Sequence, residues 1–217
     1  MNAITITHQE LKDLLTPVLP HVDQTGMMPI LGCVSFETRA GYLTATATDR
    51  YTIAITRMKV EPETEFKALI QANECKSLLA MFKPSKLHGG EALTLTIDGH
   101  ELRVEGAGAL FSSAVIKYNL YEGEYPKITG IFQAAADSTM TAEPFNLNGQ
   151  LLAKFRLAAR PAEPLTFTAS APNRPVFVRS GNHFIGAIMT MRNSSEEPAS
   201  DWTSIFAETK LAEKAVA

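Results

Sequence analysis

The chain has 217 residues, 45% of them apolar and 20% charged, with a formal net charge of −3. Such a composition is ample for a packed core and excludes a chain disordered over most of its length. The negative balance excludes a protein that grips nucleic acid by bulk charge, because that requires a strongly basic surface, but it leaves room for local basic stripes on an acidic body.

Ala3–Thr7 reads as a short strand. His8–Leu19 follows with Leu11, Leu14, Leu15 and Val18 at helical spacing; Thr7 is its expected N-cap, Glu10 completes a capping box, and Pro17 ends or kinks it. A strand is expected at Ile30–Thr38. Gly41–Arg57, GYLTATATDRYTIAITR, alternates apolar and polar residues on both sides of a break at Asp49-Arg50. Leu43, Ala45 and Ala47 share one parity and Ile53 and Ile55 another, which predicts two half-buried strands joined by a tight turn.

The pattern then restarts. Phe66–Ile70 reads as a strand, Asn73 as the N-cap of a helix at Glu74–Lys83 with Cys75, Leu78, Leu79 and Phe82 inward, and Pro84 as its end. Ala92–Ile97 and Glu101–Gly106 form a hairpin across Asp98-Gly99, and Leu110–Lys117 is a further strand. Asn119–Gly130 has no clear period and reads as a connector. A third restart gives a strand at Ser138–Phe145, a helix at Asn146–Leu157, and strands at Leu165–Ser170, Val176–Arg179 and Phe184–Met191. One unit, strand–helix–strand–strand–strand, thus occurs three times, with helix cores ELKDLL (10–15), ECKSLL (74–79) and LNGQLL (147–152). The expected class is α+β, with antiparallel sheets and helices covering one face of them. The last segment, 194–217, is a polar loop followed by a short amphipathic stretch, with Trp202 as its apolar anchor.

No catalytic constellation is present: there is no G-x-S-x-G, no H-E-x-x-H and no P-loop, and the histidines at 8, 21, 88, 100 and 183 lack ligand spacing. An enzyme, a metal and a cofactor are therefore not expected. Asp49 and Asp98 fall in turns, where Asp is common for backbone reasons, and His100 reads as a solvated hairpin residue. Cys33 and Cys75, far apart among apolar neighbours, read as buried free thiols in a reducing compartment. Neither a membrane-length apolar run nor a signal-peptide pattern occurs, so the cytoplasm is the expected location.

Five stretches, in order, resemble the bacterial DNA polymerase III beta sliding clamp family: MPILGCVSFE (28–37), AGYLTATATDRYTIAI (40–55, with TDRYTIA at 48–54), YEGEYPKI (121–128), FNLNGQLLAKF (145–155) and RPVFVRSGNHFIGAIMTMR (174–192). The resemblance implies a non-enzymatic processivity factor: a ring around duplex DNA that tethers the replicative polymerase and is placed by a clamp loader, with sheets outside and helices lining the hole. It divides the chain into one full clamp-like domain at 1–127 (half-units at about 1–60 and 66–117), a half-size domain at 128–193 and the tail at 194–217. A family ring has twelve half-domain units, so chains of three units would close it as a homotetramer. The alternative is a clamp-like binding module that forms no ring and sequesters or modulates clamp partners.

Opposite the leucines of the helices lie Lys12, Lys76, Lys83 and Arg156, with Lys154 at the margin; Lys76 and Lys83 are placed with position 80 on one helical face. In a ring these residues would meet phosphates without reading bases, although lysine on the outer face of a helix is ordinarily just solvated. The resemblance also implies an apolar cleft for polymerase and loader peptides. By position its wall is Leu31, Thr48, Arg50, Tyr51, Thr52 and Ile53, its connector side Pro126 and Ile131, and its far side Ala187, Ile188, Met189, Thr190, Met191 and Arg192. Ile53, Ile188 and Met189 read equally well as core. Arg50 and Tyr51 stand where the family has glycine and histidine, which makes the rim bulkier, and Thr52 and Thr190 stand where it has arginine and proline.

Overall fold

A computed structural model describes residues 2–60, 65–84, 90–108, 111–128, 130–132, 145–169, 171 and 173–192. The first unit is β1 (Asn2–Thr7), α1 (His8–Leu15), β2 (Cys33–Arg39), β3 (Tyr42–Thr48) and β4 (Thr52–Lys59). The second is β5 (Lys67–Gln71), α2 (Ala72–Met81), β6 (Ala92–Asp98), β7 (Glu101–Gly108) and β8 (Phe111–Asn119). The third has α3 (Gly149–Ala153), β9 (Thr166–Thr168), β10 (Val176–Ser180) and β11 (Phe184–Ile188). The strand expected at 138–145 lies outside the described residues apart from Phe145, and the 194–217 tail lies outside them entirely.

Local chemistry sets the helix starts. The Thr7 hydroxyl accepts from the Glu10 N–H at 3.2 Å while the Glu10 carboxylate accepts from the Thr7 N–H at 2.7 Å, the expected capping box. α1 stops at Leu15, before Pro17, and the chain resumes as a 3₁₀ turn at Leu19–His21. α2 starts earlier than the sequence suggests, with Gln71 rather than Asn73 at the cap and the Gln71 N–H bound to Glu74 at 3.3 Å. Asn148 caps α3, its side-chain oxygen accepting from the N–H groups of Gln150 and Leu151. Ile30–Gly32, expected as the start of a strand, belongs instead to a 3₁₀ turn at Pro29–Gly32, whose first position suits the fixed φ of proline.

The sheets are antiparallel throughout, one of four strands in the order β1-β6-β7-β8 and one of seven in the order β5-β2-β3-β4-β11-β10-β9. Neither of the first two units is self-contained. The leading strand of each crosses to the other: β1 pairs with β6 from Asn2↔Ile97 to Thr7↔Ala92, and β5 pairs with β2 from Cys33↔Gln71 to Glu37↔Lys67. The third unit joins the first through β11 and β4.

The helices lie together on one side. Leu11, Leu14 and Leu15 of α1, Cys75 and Leu78 of α2, and Phe82 pack with Leu43, Ala45 and Ala47 of β3 and with Leu93 and Leu95 of β6 in one continuous core. Each fully buried leucine of this kind contributes about 2 kcal/mol. Cys33 and Cys75 are buried and free; burial, then the Glu74 charge, pushes the Cys33 thiol up to about 11 and raises that of Cys75 as well. β4 is buried on both faces. Its helix side carries Thr52, Ala54 and Thr56, the last donating its hydroxyl to the Leu14 carbonyl at 2.6 Å. Its outer side carries Ile53 and Ile55, which pack with Phe177, Ala187, Ile128 and Phe132 under the connector.

Candidate nucleic-acid and peptide interfaces

Lys12 is exposed in the last turn of α1, Lys76 is exposed on α2, and Arg156 is exposed on the 3₁₀ turn at Lys154–Leu157. Lys83 is exposed too, but it lies beyond Phe82, the C-cap of α2, so the expected helical stripe ends at position 80. Among the described residues none of these four cations is held in an ion pair, whereas the neighbouring acids are engaged. Glu10 and Glu74 accept from backbone at helix starts, and Asp13 accepts from Gln9 and faces Arg160 at 3.5 Å. The helix side therefore carries uncompensated positive charge although the chain is negative overall.

Lys154 departs from that group. Its ammonium is tied to the Asp49 carboxylate, with only 25% of the lysine side chain and 10% of the aspartate side chain exposed. Asp49 does more than close a turn. Its other oxygen accepts from the N–H groups of Tyr51 and Thr52 at 3.0 and 2.7 Å and from the Thr52 hydroxyl at 2.9 Å. With that hydroxyl donating to Asp49, its oxygen accepts from Nδ1 of His21 at 2.9 Å. His21 is fully buried and sits edge-on to Phe155, centroids 4.6 Å apart, while Phe155 meets Phe184 at 6.1 Å. Burial, then the nearby Lys154 charge, pushes the His21 imidazole down to about 4, against an opposing pull from Asp49. Burial alone would raise the Asp49 carboxyl, but hydrogen bonds from Lys154 and Thr52 outweigh it and hold it below the usual range. These residues pin the third unit to the first. Sequence reasoning saw only a turn aspartate and a scattered histidine here, since no local pattern links positions 21, 49 and 154.

The expected peptide cleft divides in two. Leu31, Thr48, Thr52, Ile53, Ala187 and Ile188 are buried, and Ile53 and Ala187 lie beneath the connector residues Ile128 and Phe132. The Thr48 N–H donates to the Tyr125 hydroxyl at 3.1 Å, which fastens the connector over the outer face. Pro126 and Ile131 are exposed on that connector, and Pro126 borders a groove with Thr44, Thr46 and Ile55. The remaining residues gather at the turn end of the β4–β11 junction. The Met189 N–H donates to the Tyr51 carbonyl at 2.9 Å and the Met191 N–H to the Asn146 carbonyl at 2.8 Å. The side chains of Tyr51, Met189 and Met191 are 55%, 41% and 51% exposed, so Met189 is not core. Arg50, at φ 77°, holds its guanidinium 5.8 Å from the Tyr51 ring centre; Thr190 is half-buried and Arg192 exposed. Phe145, next to Asn146, extends this apolar arc, and Met27 and Met28 stand exposed on the loop whose Asp23 faces Arg50. Sequence reasoning missed these three, which follow no period.

Among the described residues no group of three or more His, Cys, Asp or Glu side chains is placed to hold a metal, and no helix is long and apolar enough to cross a membrane.

The profile of the DNA polymerase III beta subunit, central domain, matches residues 5–127. No curated protein sequence matches the chain. Among solved structures, the DNA polymerase sliding clamp from Bacillus subtilis is similar at a TM-score of 0.66 and 18% identity, over 88% of this chain and 64% of that one. The DNA polymerase sliding clamp from Pseudomonas aeruginosa is similar at a TM-score of 0.67 and 13% identity, over 88% of this chain and 67% of that one. The chain thus spans about two thirds of the length of the clamps it matches.

Proposed function

The chain belongs to the DNA polymerase III beta subunit family, and from that premise we propose that it is a sliding-clamp processivity factor, a homo-oligomeric ring that encircles duplex DNA in the cytoplasm. The observation that carries this reading is the helix side: Lys12, Lys76, Lys83 and Arg156 lie exposed and, among the described residues, outside any ion pair, while their described acidic neighbours are spent on caps and internal pairs. Contacts of this kind track the phosphate backbone of any sequence and need not be strong, because a closed ring holds its track by topology. Continuity of the sheet across β4 and β11 supports the same reading, since it lets units add side by side without a break in the backbone ladder. Twelve units then take four chains. Lys154, held by Asp49, serves the joint between units rather than DNA.

Peptides from a replicative polymerase and a clamp loader would bind along Arg50, Tyr51, Met189, Met191 and Arg192. Flexible methionines beside an aromatic ring suit apolar anchors of several shapes. The buried members of the expected cleft support that arc from behind. The protein performs no chemistry in this role.

The test is retention on DNA in the presence of its loader. The wild-type protein stays on a closed circle and runs off once the circle is cut, and Lys76→Glu/Lys83→Glu weakens loading and polymerase processivity. Equal retention on circular and linear DNA, or unchanged processivity in the charge-reversed variant, would contradict the reading.

A further inference from the structure

The outer face of the seven-stranded sheet, opposite the helices, carries a second basic feature. Ile55 on β4, Ile185 on β11 and Arg179 on β10 oppose one another in one row across neighbouring strands, and Arg57, two residues beyond Ile55, shares their face. With Thr44 of β3 and Asn182 of the turn between β10 and β11 they line a pocket of about 300 Å³. The half-buried Ile55 and Ile185 form its apolar floor, and the exposed Arg57 and Arg179 flank it. The pocket lies at the start of β11, at the opposite end of that strand from the rim of Tyr51, Met189 and Met191.

Arginine on a sheet face is ordinarily just solvated; this pair differs in how it is held. The Arg57 Nε donates to the Asn182 carbonyl at 2.8 Å, and the guanidinium carbon sits 4.9 Å from the centre of the Tyr42 ring. One edge and one face of that guanidinium are thus fixed, and its terminal nitrogens have no partner among the described residues. Little side-chain freedom is left to lose on binding. The Arg179 side chain makes no hydrogen bond or ion pair among the described residues, and no acid lines the pocket. The acid beside the turn, Glu163, faces Nδ1 of His183 at 3.4 Å, while Nε2 of that ring lies 3.0 Å from the Ala158 carbonyl. Two unneutralised guanidiniums over an apolar floor repel each other, and an anion placed between them removes that repulsion.

We propose that this pocket binds an acidic peptide segment of a partner protein, with a carboxylate accepting from Arg57 and Arg179 and a neighbouring aliphatic side chain resting on Ile55 and Ile185. A carboxylate matches the guanidinium fork, which offers it two parallel hydrogen bonds. The apolar floor selects a peptide over a simple anion, because phosphate gains nothing from covering isoleucine, whereas an aliphatic side chain does. The site lies on the face away from the helix cations, so the segment would bind without competing for the surface proposed for DNA. It rests on the outer sheet alone and requires neither the ring nor the rim.

The experiment uses the full chain and a fluorescein-labelled peptide, Asp-Glu-Ile-Glu-Glu, with its amide counterpart Asn-Gln-Ile-Gln-Gln as control. Fluorescence anisotropy should show the acidic peptide bound, less tightly as salt rises, and the amide peptide unbound. Arg179→Gln, at a side chain that holds no partner in the fold, should weaken binding about tenfold or more with circular dichroism unchanged. Arg57→Lys, which keeps the charge and loses the fork, should weaken it as well. Equal binding of the two peptides, or an unchanged affinity in Arg179→Gln, overturns the site. Displacement of the peptide by inorganic phosphate at equal concentration would make it a site for simple anions and overturn the peptide assignment. Binding that is absent in the wild type overturns the partner assignment too: its appearance in Glu196→Gln/Glu197→Gln/Asp201→Asn would make the chain's own tail the occupant, and its absence there would remove the site. Retention on circular DNA is read separately and bears on the ring alone.

Discussion

The β4–β11 junction and the outer edge of β8 begin from equivalent strands and end in opposite states. In β4 Thr52, Ile53, Ala54 and Thr56 are all buried, whereas β8 alternates, with Ser113, Val115, Lys117 and Asn119 exposed and Ala114, Ile116 and Tyr118 partly covered. A strand buried on both faces needs two covering layers. β4 has the helices and Phe155 on one side and the connector with Ile128 and Phe132 on the other. It also needs its hydroxyls satisfied, as Thr52 and Thr56 are by Asp49 and Leu14. β8 retains the ordinary alternation of a strand covered on one side. A final strand therefore shows in its own residues whether it is covered on one face or on both.

The contrast breaks most sharply at Phe155, fully buried between His21 and Phe184. Phe155→Ala should lower the unfolding free energy by about 4 kcal/mol in urea denaturation, because the cavity opens under a joint with no room to collapse. A loss no greater than that of a surface change would show that the third unit does not lean on this ring. The next effect is at Gly186, where an added Cβ would stand 2.6 Å from the Ile53 carbonyl oxygen and 2.6 Å from Phe155. Gly186→Ala should cost about 2–3 kcal/mol, since a strand carbonyl cannot swing aside as a side chain can.

Acidification acts on the same joint. His21 has a folded value depressed to about 4 against a reference of 6.5, so its neutral form is the one the fold favours. Above pH 6.5 that preference costs nothing; between 6.5 and 4 the unfolded chain takes up the proton first, and stability falls. Passing from pH 7 to pH 5 should remove about 2 kcal/mol, and His21→Gln should flatten that slope. A slope unchanged in the variant would assign the acid sensitivity elsewhere. The smallest effect belongs to the second unit: at Gly106 an added Cβ meets the Leu93 side-chain end at 2.4 Å, with the Ala92 carbonyl oxygen farther off at 3.0 Å, and Gly106→Ala should cost about 1 kcal/mol.

Local patterns exposed several elements well. Leu43, Ala45 and Ala47 share the buried parity that their alternation predicts, and Thr7 with Glu10 forms the capping box. The hairpin across Asp98-Gly99 turns there, with Gly99 at φ 59°, and His100 is solvated beside Glu122 at 3.2 Å. What sequence did not reveal is non-local. The exchange of β1 and β5 between units joins residues about ninety positions apart in one case, a choice that alternation leaves open. Ile53 and Ile55 share a parity, but which layer covers it depends on where the connector returns. Lys154 was placed beside the helix cations by its position in a helical period, and only the third unit's docking brings it to Asp49. The expected cleft, carried over by position from the resemblance, mixed strand interior with rim, because position along a strand does not say where the sheet ends.

Solution mass bears most directly on the ring. A closed ring of twelve units requires four copies of the 23.6 kDa chain, about 94 kDa. Light scattering at micromolar concentration should give that value. A mass of one or two chains would leave an open arc, unable to hold DNA by topology, and would contradict the sliding-clamp reading.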